Sequence, residues 1–287
     1  MPTHNDGEVI NEKALRQLID YQLGNGIDGI CLFSSTGGNG SFSNDEMRKT
    51  TAIAVKHVDG RVPVIAGTGA RTTYDCIELS KHAESVGCDG VLVLPVSYWP
   101  LTTDEVYEHY SRVSGSISIP ICVYNVPLTT GVDLKPELLA KISMLENVSC
   151  IKESSGDLTR ITAIRLLTNG LVAILVGWES SSFQAFAAGA TGWACVYSNF
   201  VPEKALEFYR AAVHDSDLCR ARNLWDGLFP LCDFIGAKTH IRVIHTGLEI
   251  LGWPVGEPRR PIRMLNADDR TQLQIVLREC GAKAAAL

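Results

Sequence analysis

Seven short apolar runs recur along the chain, at residues 29–33, 62–67, 90–94, 121–124, 148–152, 172–176 and 193–196. Most are unbroken by polar residues, the pattern of parallel strands covered on both faces rather than of half-exposed alternating ones. Between them lie amphipathic stretches with helical spacing. Ser43-Asn44-Asp45-Glu46 has capping-box spacing and starts a helix that runs to about residue 58. Residues 73–86 form a second helix, closed by Gly87. Further helices are expected at 103–113, 135–142, 158–167 (stopped by Asn169-Gly170), 182–188 (stopped by Gly189) and 202–213, where Pro202 occupies the first turn.

Strictly alternating strands and helices predict an all-parallel α/β architecture. Seven such units followed by a helical tail fit a (β/α)8 TIM barrel better than an open sheet. The expected division is a barrel domain at 1–213 and a three-helix extension at 214–287, with helices at 216–235, 238–251 and 268–282. The strand count is one short. Residues 12–23 are helical and only residues 1–11, mostly polar, precede them, so the first barrel strand is expected to be missing or severely shortened. A start codon assigned too late and a genuinely open barrel both account for this.

Composition removes several classes of function. The 287 residues are 46% hydrophobic and 20% charged, a globular balance, and the net charge of -6 with scattered basic residues argues against a nucleic-acid partner. No apolar run approaches the length that spans a bilayer, and residues 1–7 hold no signal-peptide core, so the expected location is the cytoplasm with no membrane partner. The nine cysteines are odd in number and form no C-x-x-C pair; Cys31, Cys122, Cys150 and Cys195 fall within apolar runs, as buried free thiols rather than disulfides or zinc ligands. No spacing of His, Cys, Asp or Glu suggests a metal site. His109, His240 and His245 lie in helical stretches and read as packing or surface residues.

In such a barrel the chemistry gathers at the C-terminal ends of the strands. The fifth run ends at Lys152, followed by Glu153-Ser154-Ser155-Gly156-Asp157. Burial disfavours an ammonium, and a neutral lysine amine condenses with ketones to form a Schiff base. The competing reading is a lysine that marks a strand end and snorkels to water. After the first run comes Ser34-Ser35-Thr36-Gly37-Gly38, a hydroxyl- and glycine-rich loop able to hold a carboxylate, although such loops are more often only loops. Tyr124 ends the fourth run, where a phenol serves either as an acid/base group or as a core residue with a polar tip. Glu179 follows the sixth run and either caps a helix or, with Ser180, meets the distal part of a substrate. Together an amine, a phenol and a carboxylate clamp are what a Schiff-base enzyme needs, with Ser35 relaying protons to Tyr124.

These residues carry a family resemblance that covers nearly the whole chain. Asp6-Gly7, Ser34-Ser35-Thr36-Gly37, Tyr124-Asn125-Val126-Pro127 with Thr130-Gly131, Ile151-Lys152-Glu153-Ser154-Ser155-Gly156-Asp157, Gly177 and Gly256-Glu257-Pro258-Arg259-Arg260-Pro261 resemble the dihydrodipicolinate synthase/N-acetylneuraminate lyase superfamily of pyruvate-dependent class I aldolases. The resemblance implies a barrel with a C-terminal helical domain and a homo-oligomer, tetramer or dimer. It implies Lys152, Tyr124 and Ser35 as catalytic residues, Thr36 and Gly37 holding the 2-oxo acid carboxylate, and Ser154, Gly177, Glu179, Ala194 and Thr129 as further substrate-binding positions. It implies no cofactor beyond the covalent lysine imine.

The departures concern the second substrate. Ser34 and Gly38 replace the Gly and Glu of the family loop, Thr129 stands where true dihydrodipicolinate synthases carry an Arg, and Ser97 aligns with the Tyr they donate across a dimer interface, with Tyr98 adjacent. Replacing a bidentate Arg by Thr removes the charge that recognises a second carboxylate, which argues against aspartate semialdehyde. Leu128 and Thr129 look more like the loop of sialic-acid lyases and sugar-acid aldolases, while Phe42, Trp99, Trp178 and Trp193 are expected to make the far end of the pocket bulky. The expected activity is a Schiff-base lyase, aldolase or dehydratase, acting on pyruvate or a substituted 2-oxo acid. The rival expectation is a non-catalytic or regulatory barrel that binds a 2-oxo acid through an altered substrate loop.

Overall fold

The computed structural model describes residues 1–285; the last two residues of the 214–287 extension lie outside the described residues. The chain divides into two compact units, one of Met1–Asp28, Thr36–Ser41 and Cys195–Leu287 and one of Gly29–Ser35 and Phe42–Ala194. Both are discontinuous in sequence.

Residues 1–28 place no strand in the parallel sheet. Strands β1 (Thr3–His4) and β2 (Val9–Ile10) pair antiparallel with each other, and α1 (Glu12–Gly24) follows, capped by the Asn11 side chain. The missing or shortened first strand expected from the sequence is thus seen as a two-residue hairpin.

The second unit carries the sheet. Its strands are β3 (Ile30–Leu32), β4 (Val64–Gly67), β5 (Gly90–Val93), β6 (Ile121–Asn125), β7 (Val148–Glu153), β8 (Ala173–Val176) and β9 (Gly192–Trp193). All neighbours are parallel and the spatial order equals the chain order. Helices return the chain between strands: α2 (Asn44–Val58), α3 (Thr73–Ser85), α4 (Thr103–Ser114), α5 (Pro127–Thr130) with α6 (Pro136–Ile142), α7 (Thr159–Leu167) and α8 (Ser182–Ala187). Sequential parallel strands joined through helices are the (β/α)8-barrel plan, here with seven strands in the sheet. Every residue of β5 and β6 is buried, which is why those runs are continuously apolar.

Local signals set the helix ends. The Ser43–Glu46 capping box forms with both reciprocal bonds, and Thr102 with Glu105 makes a second one at α4. The last strand is shorter than the sequence run at 193–196: β9 ends at Trp193, and residues from Tyr197 turn into a short 3-10 segment.

The first unit is completed by α9 (Pro202–Tyr209), a wider helical turn at Arg210–His214, and α10 (Leu218–Gly236), α11 (His240–Ile250) and α12 (Ala267–Glu279), the three tail helices expected. Trp225 lies 5.0 Å from the Phe208 ring and 6.5 Å from Tyr197, at the centre of an aromatic cluster. Two distant motif fragments meet in this unit. Gly7, at φ +87°, would bring a Cβ within 2.6 Å of the Pro258 carbonyl oxygen, so only glycine fits. The Arg259 guanidinium donates to the carbonyls of Gly7 (3.0 Å), Glu8 and Ser41 (3.4 Å), tying the first loop and residue 41 to the tail.

Among the described residues, no helix is long and apolar enough to cross a membrane, and no group of three or more His, Cys, Asp or Glu side chains is arranged to hold a metal. All nine cysteines are free thiols, but burial is uneven. Cys122 is buried and Cys31 exposed, with Cys150 and Cys195 between.

Candidate active site

Strand β7 positions the lysine. A residue of β7 is skipped between the first two rungs it shares with β6: Ile121 pairs with Val148, but Cys122 pairs with Cys150. Ser149 therefore has no partner, and the following rungs set Tyr124 opposite Lys152 and Asn125 opposite Glu153. Register partners point to the same face of a sheet, so Tyr124 and Lys152 share one face and Asn125 and Glu153 the other. The first face is apolar around Tyr124, which packs with Leu92, Leu94, Cys122 and Val126.

Both key side chains are buried, and the Lys152 Nζ lies 4.1 Å from the centroid of the Tyr124 ring. The Ser35 hydroxyl donates to the Tyr124 hydroxyl at 3.4 Å. Three of the expected residues, from the ends of β3, β6 and β7, are thus linked in a row. Ser35 enters this row from a strained turn, since the preceding buried Phe33 has φ +50°. Gly67 makes room for that turn: a Cβ there would lie 2.0 Å from the Phe33 carbonyl oxygen.

Electrostatics correct the expectation of a lysine made neutral by burial. Desolvation pulls the Lys152 pKa down, but Tyr124, Cys31 and Glu179 outweigh it and the net direction is up. The reason is that Lys152 is surrounded by groups whose deprotonated forms are anionic, so its ammonium is stabilised where it stands. Glu179 is the complementary member. Burial raises its carboxyl to about 7, with Lys152 pulling the other way. It sits in a 3-10 turn, Glu179–Ser181, directly after β8, and is buried.

Ser154 and Gly177 complete the lysine's surroundings. The Ser154 hydroxyl is buried and has no hydrogen-bond partner. A Cβ at Gly177 would lie 2.0 Å from that hydroxyl oxygen and 2.7 Å from Lys152 Cε, so the absence of a side chain at 177 is what lets the lysine pass. Trp178 packs on the turn at Gly156, where a Cβ would come within 3.4 Å of the indole.

Ala194 extends the ladder past β9, its N–H donating to the Val176 carbonyl at 3.1 Å. Thr129 is exposed on α5. Thr36 and Gly37 belong to the 36–41 segment of the other compact unit. Trp99 is 73% exposed and stacks edge-on with Tyr98, itself exposed, so within this chain Trp99 walls no pocket. Ser97 caps the backbone of Trp99 with its hydroxyl at 3.1 Å. Sequence reasoning missed Cys31 as an electrostatic neighbour of Lys152, the unpartnered Ser149, and the side-chain bonds between Asn125 and Glu153; only the polar pair inside buried strands was there to be noticed.

Comparisons with known proteins show the family. The model of the dihydrodipicolinate synthetase family matches residues 1–280. A 4-hydroxy-tetrahydrodipicolinate synthase from Syntrophus aciditrophicus is 34% identical over 277 residues, 96% of this chain and 94% of that protein. A crystal structure of a putative dihydrodipicolinate synthetase from Pseudomonas aeruginosa superposes with a TM-score of 0.94 at 35% identity, over 97% of this chain and 96% of that one. The prophage protein YagE from E. coli K12, a member of the dihydrodipicolinic acid synthase family solved in complex with pyruvate, superposes with a TM-score of 0.91 at 26% identity, over 98% and 96%. On this match, the chain belongs to the dihydrodipicolinate synthetase family.

Proposed function

We propose that the chain is a lyase that forms an imine between Lys152 and pyruvate or a substituted 2-oxo acid. The observation that carries the reading is the row Ser35–Tyr124–Lys152, with the amine 4.1 Å from the phenol ring and the hydroxyls 3.4 Å apart. The amine attacks the ketone carbon, and Tyr124 returns the protons needed to expel water from the carbinolamine. The protonated imine then withdraws electrons from the adjacent carbon. In the cleavage direction Tyr124 accepts the proton of the substrate hydroxyl, the carbon–carbon bond breaks, and an enamine and an aldehyde result; in a dehydratase, water leaves instead. The imine is the only electron sink this scheme uses, so it calls for no cofactor. Thr129, Gly177 and Ala194 are assigned to the pocket boundary.

Two features bear on the second substrate. Thr129 offers no charge for a second carboxylate, whereas the buried, unpartnered hydroxyl of Ser154 needs a hydrogen-bond partner. A hydroxylated 2-oxo acid supplies one. Exposed Tyr98, Trp99 and Leu128 favour assembly as a homo-oligomer, which light scattering of the purified protein tests.

Incubation with pyruvate and borohydride is expected to add the mass of one reduced pyruvyl group to the wild type and none to Lys152→Ala. No adduct on the wild type rules the reading out. An adduct without turnover of any aldehyde or sugar acid supports the rival, a 2-oxo-acid-binding barrel with an altered loop.

A further inference from the structure

Behind the amine and the phenol, on the opposite face of the same two strands, lies a second polar pair. Asn125 and Glu153 are both buried, and they are the last rung that β6 and β7 share. The Asn125 amide nitrogen donates to both carboxylate oxygens of Glu153, at 3.2 and 3.0 Å. The Asn125 amide oxygen accepts from the Leu134 N–H at 3.0 Å. One Glu153 oxygen also accepts from the Ser155 N–H at 2.6 Å. The pair therefore ties together four segments: the end of β6, the end of β7, the turn that follows Lys152, and the far end of the loop that begins at Pro127.

The cost of burying a carboxylate makes this arrangement informative. No described residue forms a salt bridge with Glu153; the Arg160 guanidinium, which senses the Glu153 charge, is held bidentate by Asp133 at 2.6 and 2.8 Å. A buried carboxylate of this kind is weak evidence for stability, since apolar residues of similar volume often do as well. What it supplies is geometry. Strand ends open more easily than strand centres, and Tyr124 and Lys152 lie one residue from the ends of theirs. The backbone ladder provides one bond there, from the Ser154 N–H to the Asn125 carbonyl at 2.9 Å. The side-chain bonds reinforce that rung from the other face.

We propose that Asn125 and Glu153 are positioning residues, which clamp the last rung of β6 and β7 so that the Tyr124 phenol keeps its place against the Lys152 amine. The inference rests on the reading of Lys152 as the imine-forming residue. Neither side chain touches the substrate in this scheme, because both point away from the face that carries the amine.

The pair allows a swap that separates position from composition. Glu153→Gln alone sets an amide nitrogen against either the Asn125 amide or the Ser155 N–H, and Asn125→Asp alone sets two carboxylates together. The double variant Asn125→Asp/Glu153→Gln again bonds each pair of partners, with the carboxylate accepting from Leu134 and from the new amide, whose oxygen accepts from Ser155. Each single variant is expected to slow borohydride-trapped imine formation with pyruvate by about tenfold or more and to move its pH midpoint, as misplaced reacting groups do. The swap is expected to recover the wild-type midpoint and a rate within about threefold, since each pair of partners is bonded again. Single variants that fold and keep the wild-type rate and midpoint overturn the proposal, as does a folded swap that leaves both displaced. If the single variants do not fold, the swap alone decides by the same criteria.

A readout that needs no pyruvate keeps this test separate from the proposed activity. Hydrogen exchange of the Ser154 amide, which donates to the Asn125 carbonyl across the last rung, is expected to speed up in the single variants and return in the swap. Unchanged exchange in folded single variants counts against the clamp, whether or not the wild type forms an imine.

Discussion

Tyr124 and Lys152 face each other because β7 is one residue longer than its partner strand at Ser149. Were Ser149 to pair with Cys122 instead of being skipped, each later position of β7 would shift by one, Tyr124 would pair with Ile151, and Lys152 would turn to the opposite face. A one-residue slip in a sheet reverses the face of every side chain beyond it.

Deletion of Ser149 removes only the unpartnered residue and leaves Tyr124 opposite Lys152, so it is expected to keep the pyruvate trapping that Lys152→Ala abolishes. Ser149 is exposed, so Ser149→Ala is expected to change the trapping rate by less than about twofold and stability by less than about 0.5 kcal/mol. Mass spectrometry after borohydride treatment checks the first and thermal unfolding the second. A folded deletion variant that forms no adduct would show that the extra residue itself, and not the register beyond it, places the lysine.

Gly177 is the second geometric requirement. Its position beside the lysine leaves no room for a methyl group, since the contacts at 2.0 Å and 2.7 Å involve the side chains of Ser154 and Lys152. Gly177→Ala is expected to displace Cε and slow imine formation by about 100-fold, the scale set by a misplacement near 1 Å. Combining it with Ser154→Ala, which removes the closer contact, is expected to recover part of that loss. Stopped-flow or quenched trapping at a series of pyruvate concentrations separates a slower attack from weaker binding.

The fold was largely legible because its signals are local. The seven strands of the sheet fall on apolar runs in the sequence, and the helix starts at Ser43 and Pro202 announce themselves by capping chemistry. The lysine and the tyrosine were legible through their motifs and their place at strand ends. What could not be read was register. Nothing in Val148-Ser149-Cys150 marks Ser149 as the residue without a partner, because that depends on the neighbouring strand. The protonation of Lys152 was misread for a related reason: burial is a property of one residue, whereas Tyr124, Cys31 and Glu179 act on it from three other strands and turns. Trp99 was misplaced because an apolar side chain looks the same in a sequence whether a protein covers it or leaves it out.

Arg259 tests the other compact unit. Its guanidinium reaches three carbonyls, those of Gly7, Glu8 and Ser41, and an ammonium lacks the fork to hold them together. Arg259→Lys is expected to destabilise the protein by about 1–3 kcal/mol, the range for hydrogen bonds to a charged group. Gly7→Ala is expected to cost at least about 1 kcal/mol, because it combines a left-handed backbone with a 2.6 Å contact to a carbonyl. Denaturant unfolding measures both. Variants as stable as the wild type would mean that the tail is held by other contacts.

Glu179 makes the site pH-dependent in a direction that can be worked out. Its carboxyl titrates near 7 in the folded protein against an ordinary value of 4.5, because burial disfavours the charge more than Lys152 favours it. The folded state therefore binds this proton more tightly than the unfolded state, and the group's contribution to stability falls as pH rises from about 4.5 to about 7. Glu179→Gln removes that dependence, so its stability profile is expected to be flatter across this window, with a relative gain above pH 7 on the order of 3 kcal/mol before any loss from the lysine's missing partner. Imine formation should respond in the opposite sense. The Glu179 charge helps hold Lys152 protonated, so Glu179→Gln is expected to lower the amine's pKa and move the rising limb of the pH–rate profile for pyruvate trapping to lower pH. A limb that stays in place while the stability profile flattens would separate Glu179 from the amine and leave it a buried acid without a part in the chemistry.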